Sequence, residues 1–342
     1  MELGIYTFGD IAKDESTGKN LSPQQRISDL LEEIVLADEI GLDLFAVGEH
    51  HRPEYVVSAP EVILAAAAVK TKNIKLSSAV TVLSSADPVR VFQGFSTVDL
   101  LSNGRAEIMV GRGSFIESFP LFGHNLQDYD ELFSEKLQLL LALNKSEMVS
   151  WKGNLRPSFQ NRGIYPRPVN GSIPIWIAVG GTQASVVRAA QLGMPLAIAI
   201  IGGNPAQFVP LVDLYRKVWK QAGHDPEKIQ LSINSHSFVG ETSKQASDSF
   251  YDGYARTMGK LGIERGWPPF SRNQFDQSTT LGGALLVGDP QQVIDKILYQ
   301  HDLFKHTRFL AQMDVGGINH RDLMKSIELF GTKVAPEVRK HT

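Results

Sequence analysis

Ile173-Pro174-Ile175-Trp176-Ile177-Ala178-Val179, followed by Gly180-Gly181-Thr182 and then by Leu196-Ala197-Ile198-Ala199-Ile200-Ile201, decides the fold. Two apolar runs of strand length flank one helix-like segment, Thr182 to Leu192. Strand, crossover helix and strand at this spacing make two parallel neighbours in one sheet. The same alternation extends in both directions.

Toward the N-terminus, strands are predicted over Leu3–Phe8, Leu44–Val47, Ile74–Leu83 and Arg105–Val110. Helices are predicted over Pro23–Ile40, Pro60–Lys70, Pro88–Leu101 and Tyr129–Leu143. The first helix shows the local logic. Ser22 can cap it, Pro23 suits its first turn and Gly41 can end it. Ile27, Leu30, Leu31 and Ile34 give it one apolar face. Toward the C-terminus come strand Ile229–Val239 after helix Pro205–Ala222, then helix Ser243–Leu261 and helix Asp289–Phe304. Strand Arg308–Val315 and helix His320–Val334 close the series.

Eight strands with intervening helices favour a closed (β/α)8 barrel, a TIM barrel, over an open doubly wound sheet. The absence of GxGxxG after the first strand agrees. Insertions follow the fourth and seventh strands. The first, Glu147 to Ser172, reads as a small hairpin excursion. The second, Gly262 to Gly283, has no clean periodicity and holds Trp267-Pro268-Pro269-Phe270. Its length suggests either a lid or a disordered surface insertion. Residues 1–342 are read as a single barrel domain.

Composition narrows the class. Hydrophobic residues make up 42% of the 342, ample for a large core. Net charge is −3 with signs interspersed, so nucleic acid is not an expected partner. No apolar run approaches the roughly 18 residues that span a bilayer. Met1 to Tyr6 enters a strand at once and lacks signal-peptide features. There is no cysteine, which excludes disulfides, thiolate catalysis and zinc–sulfur sites. A soluble, cytoplasmic protein is expected.

In a barrel, chemistry collects at the carboxyl ends of the strands. Glu49-His50-His51-Arg52 follows the second strand. Alternation along a strand would turn one histidine to the barrel mouth and the other outward, which makes a two-histidine metal site geometrically poor. The motif reads as an acid–base group or as a structural, hydrogen-bonded histidine. Ser77 to Leu83 could let a flat ligand approach the third strand, or could simply pack. Gly111-Arg112-Gly113-Ser114 places a guanidinium at the rim, where it could meet a phosphate or solvent. Gly180-Gly181-Thr182, with Ser185 one turn on, makes a strand-to-helix turn that can hold an anion.

These pieces, in this order, resemble the bacterial luciferase-like flavin monooxygenases. The resemblance runs nearly end to end. It includes Glu49-His50-His51, Ala79-Val80-Thr81-Val82-Leu83 with Asp87-Pro88-Val89-Arg90, and Leu101-Ser102-Asn103-Gly104-Arg105 leading to Gly111-Arg112-Gly113. It continues through the fifth-strand turn to Ala189-Ala190-Gln191-Leu192-Gly193-Met194-Pro195. It implies an FMN-dependent monooxygenase that uses O2 and reduced FMN, supplied by a separate flavin reductase, to oxygenate a small organic substrate.

It further implies a non-prolyl cis peptide at Ala79-Val80 against the flavin ring. Arg112, Gly180, Gly181, Thr182 and Ser185 would hold the flavin phosphate. His50 would be the acid–base group, and the segment from Gly262 the lid. Light-emitting relatives carry a carboxylate where Gly181 stands and a cysteine where Gly111 stands, so luminescence is not expected. Relatives are commonly dimers, which makes a homodimer the expectation. A deazaflavin (F420)-dependent hydride-transfer enzyme on the same scaffold is the alternative, as is a flavin-binding protein without turnover.

Overall fold

The structure is a computed structural model and describes residues 1–13, 18–113 and 115–342. Twelve strands are present among the described residues. They are β1 (Glu2–Thr7), β2 (Leu44–Val47), β3 (Lys75–Ser78), β4 (Thr81–Val82), β5 (Ala106–Gly111), β6 (Met148–Trp151), β7 (Phe159–Gly163), β8 (Ile175–Val179), β9 (Leu196–Ala199), β10 (Leu231–Val239), β11 (Leu286–Gly288) and β12 (Arg308–Gln312). The α-helices are α1 (Pro23–Glu39), α2 (Pro60–Ala68), α3 (Pro88–Ser102), α4 (Ser118–Leu121), α5 (Tyr129–Lys145), α6 (Gln183–Gln191), α7 (Val209–Gln221), α8 (Ser243–Arg265), α9 (Arg272–Thr279), α10 (Pro290–Phe304), α11 (His320–Leu329) and α12 (Ala335–Lys340).

Eight parallel strands close on themselves in the order β1-β2-β3-β5-β8-β9-β10-β12, with β12 returning to β1. This is the expected (β/α)8 barrel. Period-two alternation divides its side chains. Leu3, Ile5, Phe45 and Val47 point outward and pack under the helices. Tyr6, Leu44, Ala46, Met109, Trp176, Ala197 and Leu310 fill the barrel interior. Gly4 belongs to the inward set, and a Cβ there would stand 2.3 Å from the Leu44 carbonyl oxygen.

The amino-terminal end of the barrel is plugged by charge. Arg308 lies 4.1 Å above the Trp176 ring and donates to Glu107 (2.7 and 3.1 Å) and Glu2 (2.7 Å). A guanidinium this buried is tolerable only when paired, and the two carboxylates hold it protonated. The opposite end stays open for a ligand.

Local signals act as read in several helices. Ser22 accepts from the Gln25 N–H, Pro23 starts α1, and Gly41 follows it at φ 76°. Asp87 caps α3 and Asn103 ends it in the left-handed region. The excursion after the fourth barrel strand is the antiparallel hairpin β6–β7.

Three expectations need correction. The predicted third strand is two short strands, β3 and β4, interrupted where the Ala79-Val80 peptide is cis. The stretch from Gly262 to Gly283 is not irregular throughout. α8 runs on to Arg265, and α9 is fixed by a capping box between Ser271 and Gln274. β11 was also missed. It adds to β10 outside the closed barrel, pairing Ser237 with Leu286. Among the described residues no helix is long and apolar enough to cross a membrane.

Candidate active site

A cavity of 440 Å³ opens at the carboxyl end of the barrel, inside the usual size range of small-molecule sites. Most of the site residues expected from the sequence line it.

The loop after β2 builds one wall. Gly48 is needed because a Cβ there would lie 2.4 Å from the Phe8 ring and 2.5 Å from the Ala79 carbonyl oxygen. Glu49 then clips this loop to the bend between β3 and β4. Its N–H donates to the Val80 carbonyl (3.0 Å) and its Oε2 accepts from the Val82 N–H (2.8 Å). One backbone carbonyl and one backbone N–H of the bend are thereby satisfied. Ala79 and Val80 themselves face the cavity. Gly111, on the neighbouring strand, leaves room for Val80: a Cβ there would be 2.9 Å from Val80 Cγ2.

His50 sits in an aromatic box. Ring centroids of Phe8, Tyr55 and Phe115 lie 4.3, 4.6 and 4.8 Å away. Its ring forms no hydrogen bond among the described residues. Burial, helped by the charges of Arg52 and His51, pushes its pKa down to about 3. The imidazole is neutral at neutral pH and, so far below 6.5, only weakly basic.

His51 also lines the cavity, against expectation. It pairs with Glu49 Oε1 at 2.8 Å and packs edge-on against Phe122. β2 ends at Val47, so strand alternation no longer governs these two histidines. No group of three or more His, Asp or Glu among the described residues could hold a metal.

The anion cradle forms where β5 and α6 meet. Arg112 Nη2 donates to Thr182 Oγ1 at 3.1 Å, its Nη1 pairs with Asp130, and its guanidinium lies 5.1 Å from the Tyr129 ring centroid. Thr182 is the N-cap residue of α6, but its hydroxyl serves Arg112 and makes no capping bond. Ser185 is buried and lines the cavity, and its hydroxyl donates to no protein group among the described residues. Gly180 also lines the cavity, while Gly181, at φ 122°, stands off its wall. Ser114 lies outside the described residues.

Sequence reasoning missed several residues. Arg188 does not line the cavity but stands one helical turn beyond Ser185, over Phe133, with Nη1 buried and without a partner among the described residues. Burial and the Arg112 charge lower its pKa. The i, i+3 spacing from Ser185 was the available signal. Across the cavity, Asn234 and His236 of β10 and Gln312 of β12 form a polar wall. His236 Nδ1 and Gln312 Oε1 are buried without partners among the described residues, and burial pushes the His236 pKa down to about 4. Asn234 and His236 alternate on one strand, which would have placed them on one side. Met258, Leu261 and Trp267 cover the mouth from α8 and the turn beyond it.

The description "Luciferase-like monooxygenase" matches residues 1–307, and the chain belongs to that family. An uncharacterized protein, y4vJ, of Sinorhizobium fredii is 26% identical over 94% of this chain and 95% of its own. Among solved structures, monooxygenase RslO1 from Streptomyces bottropensis superposes with TM-score 0.83 at 22% identity, covering 98% of this chain and 99% of that one. The oxygenating constituent of 3,6-diketocamphane monooxygenase from Pseudomonas putida, solved with FMN, gives TM-score 0.78 at 19% identity, with 98% of both chains covered. An F420-dependent secondary alcohol dehydrogenase gives 0.77 at 17%, with 99% of both covered. At these identities the structural matches speak to the fold.

Proposed function

We propose that this protein is an FMN-dependent monooxygenase that oxygenates a small organic substrate, with reduced FMN delivered by a separate reductase. The observation that carries the reading is the Arg112–Thr182 contact. It brings a guanidinium and a helix N-terminus together at one end of a cavity whose other end is apolar and aromatic. A phosphorylated, flat, amphipathic molecule suits that division.

The residues present fit the group at both ends. Arg112, Thr182 and Ser185 would hold the phosphate. The unpartnered His236 Nδ1 and Gln312 Oε1 call for a ligand with polar edges. When bound, reduced FMN supplies the electrons that activate O2. The protein's part is to bind, orient and keep the site dry. His50, which lines the cavity within its aromatic box, would relay a proton to or from the substrate. Met258, Leu261 and Trp267 would exclude water.

A titration of the purified protein with reduced FMN, riboflavin and F420, followed by oxygen consumption over a substrate panel, tests the reading. FMN should bind most tightly, and oxygen uptake should need both FMN and substrate. Preference for F420 with substrate-dependent hydride transfer would transfer the protein to the deazaflavin enzymes. Tight FMN binding without turnover would favour a carrier.

A further inference from the structure

Asp10, just past β1, lines the cavity, and Asp314, just past β12, lies behind it; they are 5% and 2% exposed. The Asp10 N–H donates to Asp314 Oδ2 at 3.2 Å, so the two residues are held together. The same oxygen accepts from the Thr7 hydroxyl and from Arg26 Nη2 (3.2 Å). Asp10 Oδ2 accepts from the Gly316 N–H at 2.9 Å. The second oxygen of each carboxyl, Oδ1, is buried and accepts nothing among the described residues.

The charges around the pair do not balance. Among the described residues, Arg26 of α1 is the cation in contact, donating to Asp314 Oδ2 and to the Asp10 carbonyl (2.9 Å), and it is already shared with Glu33 at 2.7 and 3.2 Å. His320 of α11 faces Glu33 and Glu32, not the pair. Arg256 of α8 donates to the Gly316 carbonyl. Arg52 is engaged by Glu117 and Glu264. Tyr6 and Tyr55 face the pair as phenols, their proton loss made harder by burial and by these carboxyls. Three carboxyls around one guanidinium leave a buried negative charge, which a proton relieves at least cost.

We propose that Asp10 and Asp314 hold one proton between them at neutral pH, and that this keeps Asp10 an uncharged carboxyl in the wall of the cavity. Burial and the mutual charge push Asp10 well above the ordinary carboxylate range, and burial raises Asp314 against the pull of Arg26. The role complements the rest of the wall. His50 and His236 are neutral bases there, and the phenols hold their protons too firmly to act as acids. Asp10 then stands in the wall without a charge. It favours a ligand that offers a neutral or anionic oxygen over one that offers an ammonium.

The inference does not rest on the flavin reading, and its test uses protein without cofactor. Infrared spectra of protein carrying ¹³C-labelled aspartate at neutral pH should show a protonated-carboxyl C=O stretch. Asp10→Asn should abolish it, because the Asp314 carboxyl that remains ionises in contact with Arg26, and Asp248→Asn on the surface should leave it. A wild-type spectrum without that stretch, or a stretch that survives Asp10→Asn, overturns the proposal. Stability gives a second readout. Above about pH 4 the unfolded chain has released a proton that the native pair keeps. Wild type should therefore lose stability relative to Asp10→Asn by about tenfold in the unfolding constant per pH unit, until the native pair titrates. Equal slopes for the two proteins also overturn it.

Discussion

Arg112→Ala offers the sharpest test of the anion cradle. Its guanidinium is divided between the Thr182 hydroxyl and the Asp130 carboxylate, whose side chain is 70% exposed. An ion pair so close to solvent contributes about 0–1 kcal/mol, so its loss should hardly disturb the fold. A phosphate would compete with Asp130 for the same nitrogens and gain a charge-assisted hydrogen bond of about 1.5–3 kcal/mol. Arg112→Ala should accordingly weaken FMN binding by roughly ten- to hundredfold. Asp130→Asn should act in the other direction. With the competing carboxylate gone, FMN should bind up to about fivefold more tightly. Riboflavin, which lacks the phosphate, should be nearly indifferent to both changes. Fluorescence titrations of the three proteins with both ligands decide the matter. Equal losses of FMN and riboflavin on Arg112→Ala would place the guanidinium outside the phosphate site.

Other tests follow from the same contacts. His50→Ala should keep FMN affinity within about tenfold while single-turnover rates fall by roughly 10²–10⁴, and unchanged turnover would make the motif structural. Gly48→Ala should lower the melting temperature by the equivalent of about 1–3 kcal/mol, since its Cβ meets a backbone oxygen that has little room to retreat; an unaltered melt would refute the packing argument. His50, His236 and His306 titrate near 3, 4 and 3 in the native protein, below the ordinary 6.5. Their share of stability is intact above pH 6.5 and is lost as pH falls from there toward 3–4, because the unfolded chain takes up protons first. His306→Gln should flatten the acid side of a melting-temperature profile by about one proton, and an identical profile would contradict the burial of that ring.

The barrel was legible because its strands and helices repeat a local pattern, and because caps such as Ser22, Asp87 and Asn103 depend on immediate neighbours. Arg112, Thr182 and His50 could be placed at the rim because strand ends fix where their side chains emerge. Asp10 and Asp314 were illegible: 304 positions separate them, and only barrel closure brings them together. The misreading of His51 has a similar origin. Period two holds within a strand, and β2 ends before the histidines begin. α9 was missed for another reason. Its capping box was present in Ser271 and Gln274, but Trp267-Pro268-Pro269-Phe270 masked it by suggesting a structureless run.

Arg52 has a consequence for kinetics. It stacks 3.9 Å over Phe115, pairs with Glu117, and reaches Glu264 at the end of α8 at 2.9 and 3.0 Å. One guanidinium thus fastens three separate parts of the rim. Glu264 is the more exposed partner, so that link is open to screening by dissolved ions. Rising ionic strength should speed ligand exchange through the mouth even for an uncharged ligand such as riboflavin, with no change in what the cavity recognises.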